Sequence, residues 1–431
     1  MSHEPPRRWL DIASTAMLAA YTAGIAVVLC QHLFQPPHGD EVTYARWFAT
    51  FRTDGWLSAL RQGHPIGYLA IVQLAGGDWS FLMAGRAISI LAILALGLSV
   101  WWMTNRFGIS PIVRQLAILT FLNLVLAGHG FVFMAIADSL FTLVTLWVVL
   151  GIELAVVDRR PGLAILSGAG WAFTWVIRPL AALYALAILG GIGVLIWRDA
   201  QRGGAIRLAS LVALVGAIGV LSEQAAPLRA YGRPAFESKG NVNRNWPQRR
   251  HLSLLRHDEP ADRLADWLWV PLVEWDEVRR YTEQHGEDSL PRTRLEAWQR
   301  DPLRKLSEVP LTVALRTNFW LGGLLGVLYP LAWFAGSPRE RGPSGEGRLT
   351  FVGVVVIAYT LVLDVVVSPF LEWRWILLPC VAVVFAGALA LERLSATRRG
   401  SAQAIVVVQL AFLCASFVFW FGRVLLASRS F

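Results

Sequence analysis

Pro36-Pro37-His38-Gly39-Asp40-Glu41-Val42-Thr43-Tyr44-Ala45-Arg46-Trp47 follows directly on an apolar run, Leu10–Leu33, and the junction of the two decides how the chain is read. A bilayer takes roughly 20 apolar residues to cross, so Leu10–Leu33 is long enough to span. A cleaved leader would have a shorter apolar core and a small-residue cleavage site. The run therefore reads as an uncleaved first helix, with Pro5-Pro6-Arg7-Arg8-Trp9 on the inner side. Asp40 and Glu41 then lie at the opposite membrane surface, where a partly desolvated carboxylate can be tuned for base work. The competing reading is a solvated helix start, since acidic residues favour helix N-termini.

The rest of the chain agrees with a membrane protein. Of its 431 residues, 55% are hydrophobic and 16% charged, whereas a soluble domain carries about 25% charged residues. The mean hydropathy is +0.50. The net charge is +9, and apart from Lys239 and Lys305 the basic residues are arginines. They sit mainly in short loops between apolar runs, which the positive-inside rule explains without a nucleic-acid partner. Cys30, Cys380 and Cys414 lie in or at the ends of apolar runs and form no disulfide or metal spacing. No P-loop, dinucleotide fingerprint or nucleophile elbow is present, so soluble nucleotide-driven chemistry has no support.

Apolar runs at Leu10–Leu33, Trp79–Met103, Leu116–Gly128, Phe131–Val157, Leu163–Val176, Leu180–Trp197, Leu208–Leu228, Leu311–Ala335, Thr350–Ser368, Trp375–Leu391 and Ala404–Leu425 predict about eleven spans. Every second loop is basic: Arg7 and Arg8, Arg106 and Arg114, Arg159 and Arg160, Arg198 to Arg207, Arg339 to Arg348, and Arg393 to Arg399. Those loops are expected in the cytoplasm. The predicted class is an all-α polytopic membrane protein. Residues 1–228 form an N-terminal transmembrane module with its first outer loop at 34–78, residues 229–310 a second outer loop, and residues 311–431 the remaining spans. In the first loop Val42–Leu60 reads as an amphipathic surface helix. His64–Ala75 is too short to span and is either re-entrant or the start of the next helix. The second loop carries five tryptophans, and helix is expected around Leu290–Val309.

Several side chains in this layout could carry chemistry. Adjacent residues do not share a helix face, so Asp40 and Glu41 can serve different ends. Asp138, near the outer end of Phe131–Val157, is an ionisable group inside a span and a functional candidate by default, the alternative being a structural hydrogen bond. Asp364 is another intramembrane carboxylate. Arg86, Arg178 and Arg374 all fall near the outer face. Several arginines around one cavity suit a phosphate or pyrophosphate group, while snorkelling or pairing with Asp138 or Glu372 is the plainer reading of each. His64 could bond a phosphate or orient a carboxylate. His129, between two glycines, is expected to be structural.

In order, these residues resemble the integral-membrane glycosyltransferases of the GT-C fold. The nearest look is to the branch that holds protein O-mannosyltransferases and the bacterial enzymes transferring aminoarabinose or galacturonic acid to lipid A and core. The resemblance rests on Asp40-Glu41 with Tyr44, Gly55-Trp56, His64-Pro65 with Gly67-Tyr68-Leu69, Arg86-Ala87, Asp138, Arg178-Pro179, and Arg374-Trp375 with Pro379. It is clearest over residues 30–180. It implies a bundle with its active site on the outer face of a bacterial inner membrane, the N-terminus being cytoplasmic. The donor implied is a polyprenyl-phosphate sugar and the acceptor a lipid or glycan of the cell envelope, such as lipopolysaccharide. Asp40 would be the general base of an inverting transfer, with Glu41 and Asp138 beside it. His64, Arg61, Arg86, Arg178 and Arg374 would meet the donor phosphate, and Tyr44 and Tyr68 would position substrate. A divalent cation gathered by Asp40, Glu41 and Asp138 stays open.

Two departures matter. Gly63-His64 stands where some relatives have a phosphate-binding lysine, so His64, Arg61 or another arginine would take that contact. Several relatives carry a large soluble outer domain after their spans, and this sequence has little beyond its last one. Recognition of the acceptor would then fall to the first loop and Arg229–Pro310. The alternative from another class is a transporter or flippase of a lipid-linked sugar, which intramembrane Asp138 and Asp364 would also suit.

Overall fold

The computed structural model describes residues 5–61, 66–76, 79–178, 202–232, 246–257, 273–291 and 373–427, with short pieces at 185, 188–193, 196, 296, 299–300, 302, 323–326 and 328. His64, Asp364, the span Thr350–Ser368, most of Leu180–Trp197, most of Leu311–Ala335 and most of Leu290–Val309 lie outside the described residues. Every regular element among the described residues is helical. The helices are α1 (Pro5–Phe34), α2 (Asp40–Arg61), α3 (Ile66–Gly76), α4 (Phe81–Arg106), α5 (Pro111–Ala127), α6 (His129–Val132), α7 (Asp138–Val157), α8 (Pro161–Ile177), α9 (Arg202–Tyr231), α10 (Trp246–His257), α11 (Trp275–His285), α12 (Trp373–Thr397) and α13 (Arg399–Ala427). This is the all-α polytopic class expected from the sequence.

Five of these helices are long and apolar enough to cross a membrane: Trp9–Phe34, Phe81–Arg106, Asp138–Val156, Gly203–Arg229 and Arg399–Leu426. Pro111–Ala127 and Pro161–Ile177 are apolar but shorter. Local chemistry sets where several begin. Proline opens α5 and α8, where its missing N–H costs nothing. Ser80 caps α4 by accepting from the Met83 N–H at 3.3 Å.

The core forms around α5, which packs against α1, α4, α12 and α13. Along α5 the buried positions include Leu116, Leu119, Phe121, Leu124 and Leu126. Lipid gives helices no hydrophobic reason to associate, so close packing and interhelical hydrogen bonds hold them. The Asn123 side chain supplies such bonds. Its Oδ1 lies 2.9 Å from the Tyr21 hydroxyl of α1 and accepts from Ser416 of α13 at 2.7 Å. One turn away Gln409 of α13 donates to Thr120 at 3.1 Å. On the other side α7, α8 and α9 pack in succession, and α4 bridges the two groups by contacting α5 and α7. The Arg106–Asp158 pair, at 3.3 Å, ties the loops after α4 and α7 together at one end of the bundle. Asp40 lies at the other.

Three local expectations change. The helix expected at Val42–Leu60 is present within α2, but Gly55 breaks it with φ 83° and ψ 167°, a conformation open to glycine. The stretch His64–Ala75 resolves into a separate helix, α3, and does not run on into α4. The run Phe131–Val157 is not one helix: α6 ends at Val132, residues 133–137 are irregular, and α7 starts at Asp138. Ala135, Ile136 and Ala137 are fully buried, and burial within protein is one setting in which non-helical backbone is tolerated at membrane depth. Between α9 and α12, α10 and α11 share a small apolar core of Leu252, Val273, Val278 and Leu290, separate from that of the bundle.

Candidate functional site

Asp40 and Glu41 occupy the first turn of α2, where the chain turns back from α1. Glu41 is fully buried and Asp40 half-buried. Successive helix residues point about 100° apart, so the two carboxylates face different surroundings. Glu41 faces Arg86 of α4, which is 3% exposed. Arg86 Nε donates to Glu41 Oε1 at 2.9 Å and Nη2 to Oε2 at 2.6 Å, a two-bond fork. Arg86 Nη1 donates to the carbonyls of Leu33 at 3.3 Å and Gln35 at 2.9 Å, at the end of α1. Arg86 thus joins α1, α2 and α4, and most of its donors are engaged within the protein.

Glu41 also reaches the irregular segment. Its Oε1 accepts from the Ala135 N–H at 2.8 Å. Ser89, one turn after Arg86, donates to the Met134 carbonyl at 2.6 Å, and Ser139 donates to the Val132 carbonyl at 2.7 Å. Side chains therefore supply partners for main-chain groups that the broken helix leaves over. Gly85 makes the approach of α4 to this segment feasible, since a Cβ there would lie 2.6 Å from the Ala135 Cβ. Burial works against ionisation of Glu41, but the Arg86 hydrogen bonds, the Ala135 N–H and the Arg86 charge outweigh it. The net result holds this carboxyl below its ordinary range.

Asp138 opens α7, three residues after Ala135, so the chain keeps it within about 10 Å of that residue. It is 2% exposed and pairs with Arg178, which leaves the end of α8 in an extended conformation (φ −155°, ψ 129°). The structure thus brings Asp40, Glu41, Arg86, Asp138 and Arg178 to one end of the bundle, in two linked groups. Tyr44 and Tyr68 belong there too: both are buried, their rings meet edge to face with centroids 5.6 Å apart, and Tyr44 also meets Trp47. Arg61 is exposed at the far end of α2, beyond Gly55. Arg374 falls in the first turn of α12, its side chain lying outside what is described.

Sequence reasoning missed three contributors: the Ala135 N–H, Ser89, and a group of histidines. His32 stacks on His38 with centroids 5.3 Å apart, and His32 Nε2 lies 2.8 Å from the His129 carbonyl. His38 Nδ1 is 3.6 Å from Glu41 Oε2. Burial and the nearby Arg423 charge lower the His129 pKa, against a contact of its Nδ1 with the Leu126 carbonyl that raises it. The expected structural role of His129 fits these bonds. Among the described residues no three His, Cys, Asp or Glu side chains gather as a metal-ligand set.

No family model matches the chain, and no curated protein matches it either. Among solved structures, it is similar to the crystal structure of ArnT from Cupriavidus metallidurans bound to undecaprenyl phosphate, with TM-score 0.51 and 16% sequence identity. The match covers 92% of this chain and 62% of that one, so this chain spans less than two thirds of its neighbour's length. At such identity the likeness speaks for the fold: the chain is a multipass membrane protein with the helical architecture of that protein.

Proposed function

We propose that the chain is a glycosyltransferase that moves a sugar from a polyprenyl-phosphate donor to a hydroxyl of a lipid or glycan acceptor, with Asp40 as general base. The observation that carries this reading is the division of labour between two adjacent acids. Glu41 is committed to Arg86 and Ala135 and fixes the first turn of α2, which leaves Asp40 half-buried and pointing elsewhere. A base held rigidly at a membrane boundary is what an acceptor hydroxyl needs. The fold likeness to a protein bound to undecaprenyl phosphate supports a polyprenyl-phosphate donor.

The reaction then runs in one displacement. Asp40 takes the proton of the acceptor hydroxyl, the oxygen attacks the anomeric carbon, and the bond from that carbon to the phosphate oxygen breaks. Polyprenyl phosphate leaves with the electron pair and configuration inverts. Negative charge grows on the leaving phosphate, where an arginine contributes most. Arg178 is our first choice for that contact, with His64, Arg61 and Arg374 as further candidates. Arg86 and Glu41 we move from the phosphate-binding and catalytic sets to positioning roles, because each already answers the other. Asp138 orients Arg178. Placement in a bacterial inner membrane with this end facing outward belongs to the same proposal.

The second reading is a transporter of the same lipid-linked sugar. The broken helix before Asp138 favours it, since transporters place binding sites at discontinuous helices. One experiment separates the two: sugar transfer by purified protein from radiolabelled polyprenyl-phosphate sugars to membrane lipid or glycan extracts, wild type beside Asp40→Asn. The enzyme reading expects transfer by wild type and at least about a hundredfold loss in a folded Asp40→Asn protein, the scale of a lost general base. Donor binding without transfer, equal in both proteins, would select the transporter.

A further inference from the structure

The end of the bundle opposite Asp40 holds a cavity of about 500 Å³, between the first turns of α1, α5 and α13 and the last turns of α12. Its floor is apolar: Leu10, Ile112, Val113, Leu391 and Val406. Its rim is polar: Asp11, Glu392, Ser395, Arg399 and Gln403. Two candidate spans begin at Trp9 and Arg399, so the rim lies at the depth of one leaflet's head groups. Val406 lies about 10 Å further along α13, beyond an interfacial layer of roughly 5–7 Å. Polar rim above apolar floor matches a lipid head group with its first methylenes below.

The charges narrow the ligand. Glu392 Oε2 accepts from the Ser110 N–H at 2.9 Å and from its hydroxyl at 2.6 Å, so this carboxylate caps α5. Asp11 and Arg399 are exposed and make no ion pair among the described residues. A purely anionic ligand would face two carboxylates, and a purely cationic one would face Arg399. A ligand with both charges satisfies the rim. Among the described residues no aromatic side chain lines the cavity, and a quaternary ammonium binds best against a ring face. A primary ammonium, with three N–H donors, finds acceptors in Asp11, Glu392 and Gln403.

We propose that this cavity binds a phosphoethanolamine lipid head group, its phosphate towards Arg399 and its ammonium towards Asp11 and Glu392. The test is native mass spectrometry of the full chain after incubation with equal amounts of phosphatidylethanolamine, phosphatidylcholine and phosphatidylglycerol. Asp11→Asn and Arg399→Gln are run beside wild type, with thermal unfolding of each protein as the fold control. Phosphatidylethanolamine should be retained above the other two, and each substitution should lower its retention about fivefold, the scale of one partly exposed charge contact. Equal retention of the three lipids, a preference for phosphatidylglycerol, or unchanged retention in both variants would overturn the proposal. Soluble phosphoethanolamine at the same concentration should not displace the lipid. Displacement would mean a site for a free phosphoamine, and the lipid assignment would fall.

Discussion

Two buried acid–arginine pairs stand at the same end of this molecule, and they are built differently. Glu41 and Arg86 meet through two parallel hydrogen bonds, and their remaining atoms engage Ala135, Leu33 and Gln35. Asp138 pairs with Arg178 at the end of α8, and Arg178 keeps 15% of its side chain exposed. A saturated pair has little left to offer a ligand. A pair whose arginine still reaches the surface keeps a face that an arriving phosphate can meet. On the function proposed above, the first serves as a brace and the second as the part that responds to substrate.

Breaking the brace should have the larger effect. Arg86→Ala leaves a carboxylate buried without its partner, which costs about 3–5 kcal/mol. A large fall in thermal stability in detergent is expected, and Arg86→Lys, lacking the fork, should recover only part of it. Arg178→Ala also strands a buried carboxylate, Asp138, but water can enter where the partly exposed arginine stood, so its cost should fall at the lower end of that range, about 3 kcal/mol. Its main effect should fall on donor binding, as a raised KM for the polyprenyl-phosphate sugar in a protein that still folds. Similar stability losses in both variants would erase the distinction between the pairs.

The smallest effect sharpens the comparison through pH. The folded-state pKa of Glu41 lies below its ordinary value of 4.5. Its share of stability is therefore complete above about pH 4.5 and is lost as pH falls through the folded value. Thermal unfolding followed from pH 7 down to pH 3 should show a steeper fall for wild type than for Glu41→Gln. Parallel curves would mean that Arg86 does not hold the carboxylate charged.

Much of this was legible in the sequence. Leu10–Leu33, Leu208–Leu228 and Ala404–Leu425 read as spans because their apolar runs are long, and each falls within a long helix. Asp40, Glu41, Asp138, Arg86 and Arg178 were all singled out, and all come to one end. Pairing of one of the outer arginines with Asp138 was an open reading, and Arg178 makes it; the partner of Glu41 was hidden. Glu41 and Arg86 are 45 residues apart, and no local pattern couples a loop acid to an arginine in the next long helix. The break at 133–137 was hidden for a different reason. Phe133-Met134-Ala135-Ile136-Ala137 contains no glycine or proline, and its apolarity continues that of its neighbours. What allows the chain to unwind there lies elsewhere, in Glu41 and Ser89.

The hydrogen bond from Ala135 to Glu41 has a consequence for how this protein can evolve. A main-chain N–H survives every substitution at its own position except proline. Buried ion pairs can often be exchanged for apolar residues of matched volume at no net loss, so positions 41 and 86 look free to drift together. Here such an exchange would strand the Ala135 N–H, and nothing at position 135 short of proline could relieve it. Selection on folding alone should therefore keep an oxygen acceptor at position 41 even in descendants that have lost Asp40 and whatever chemistry it performs.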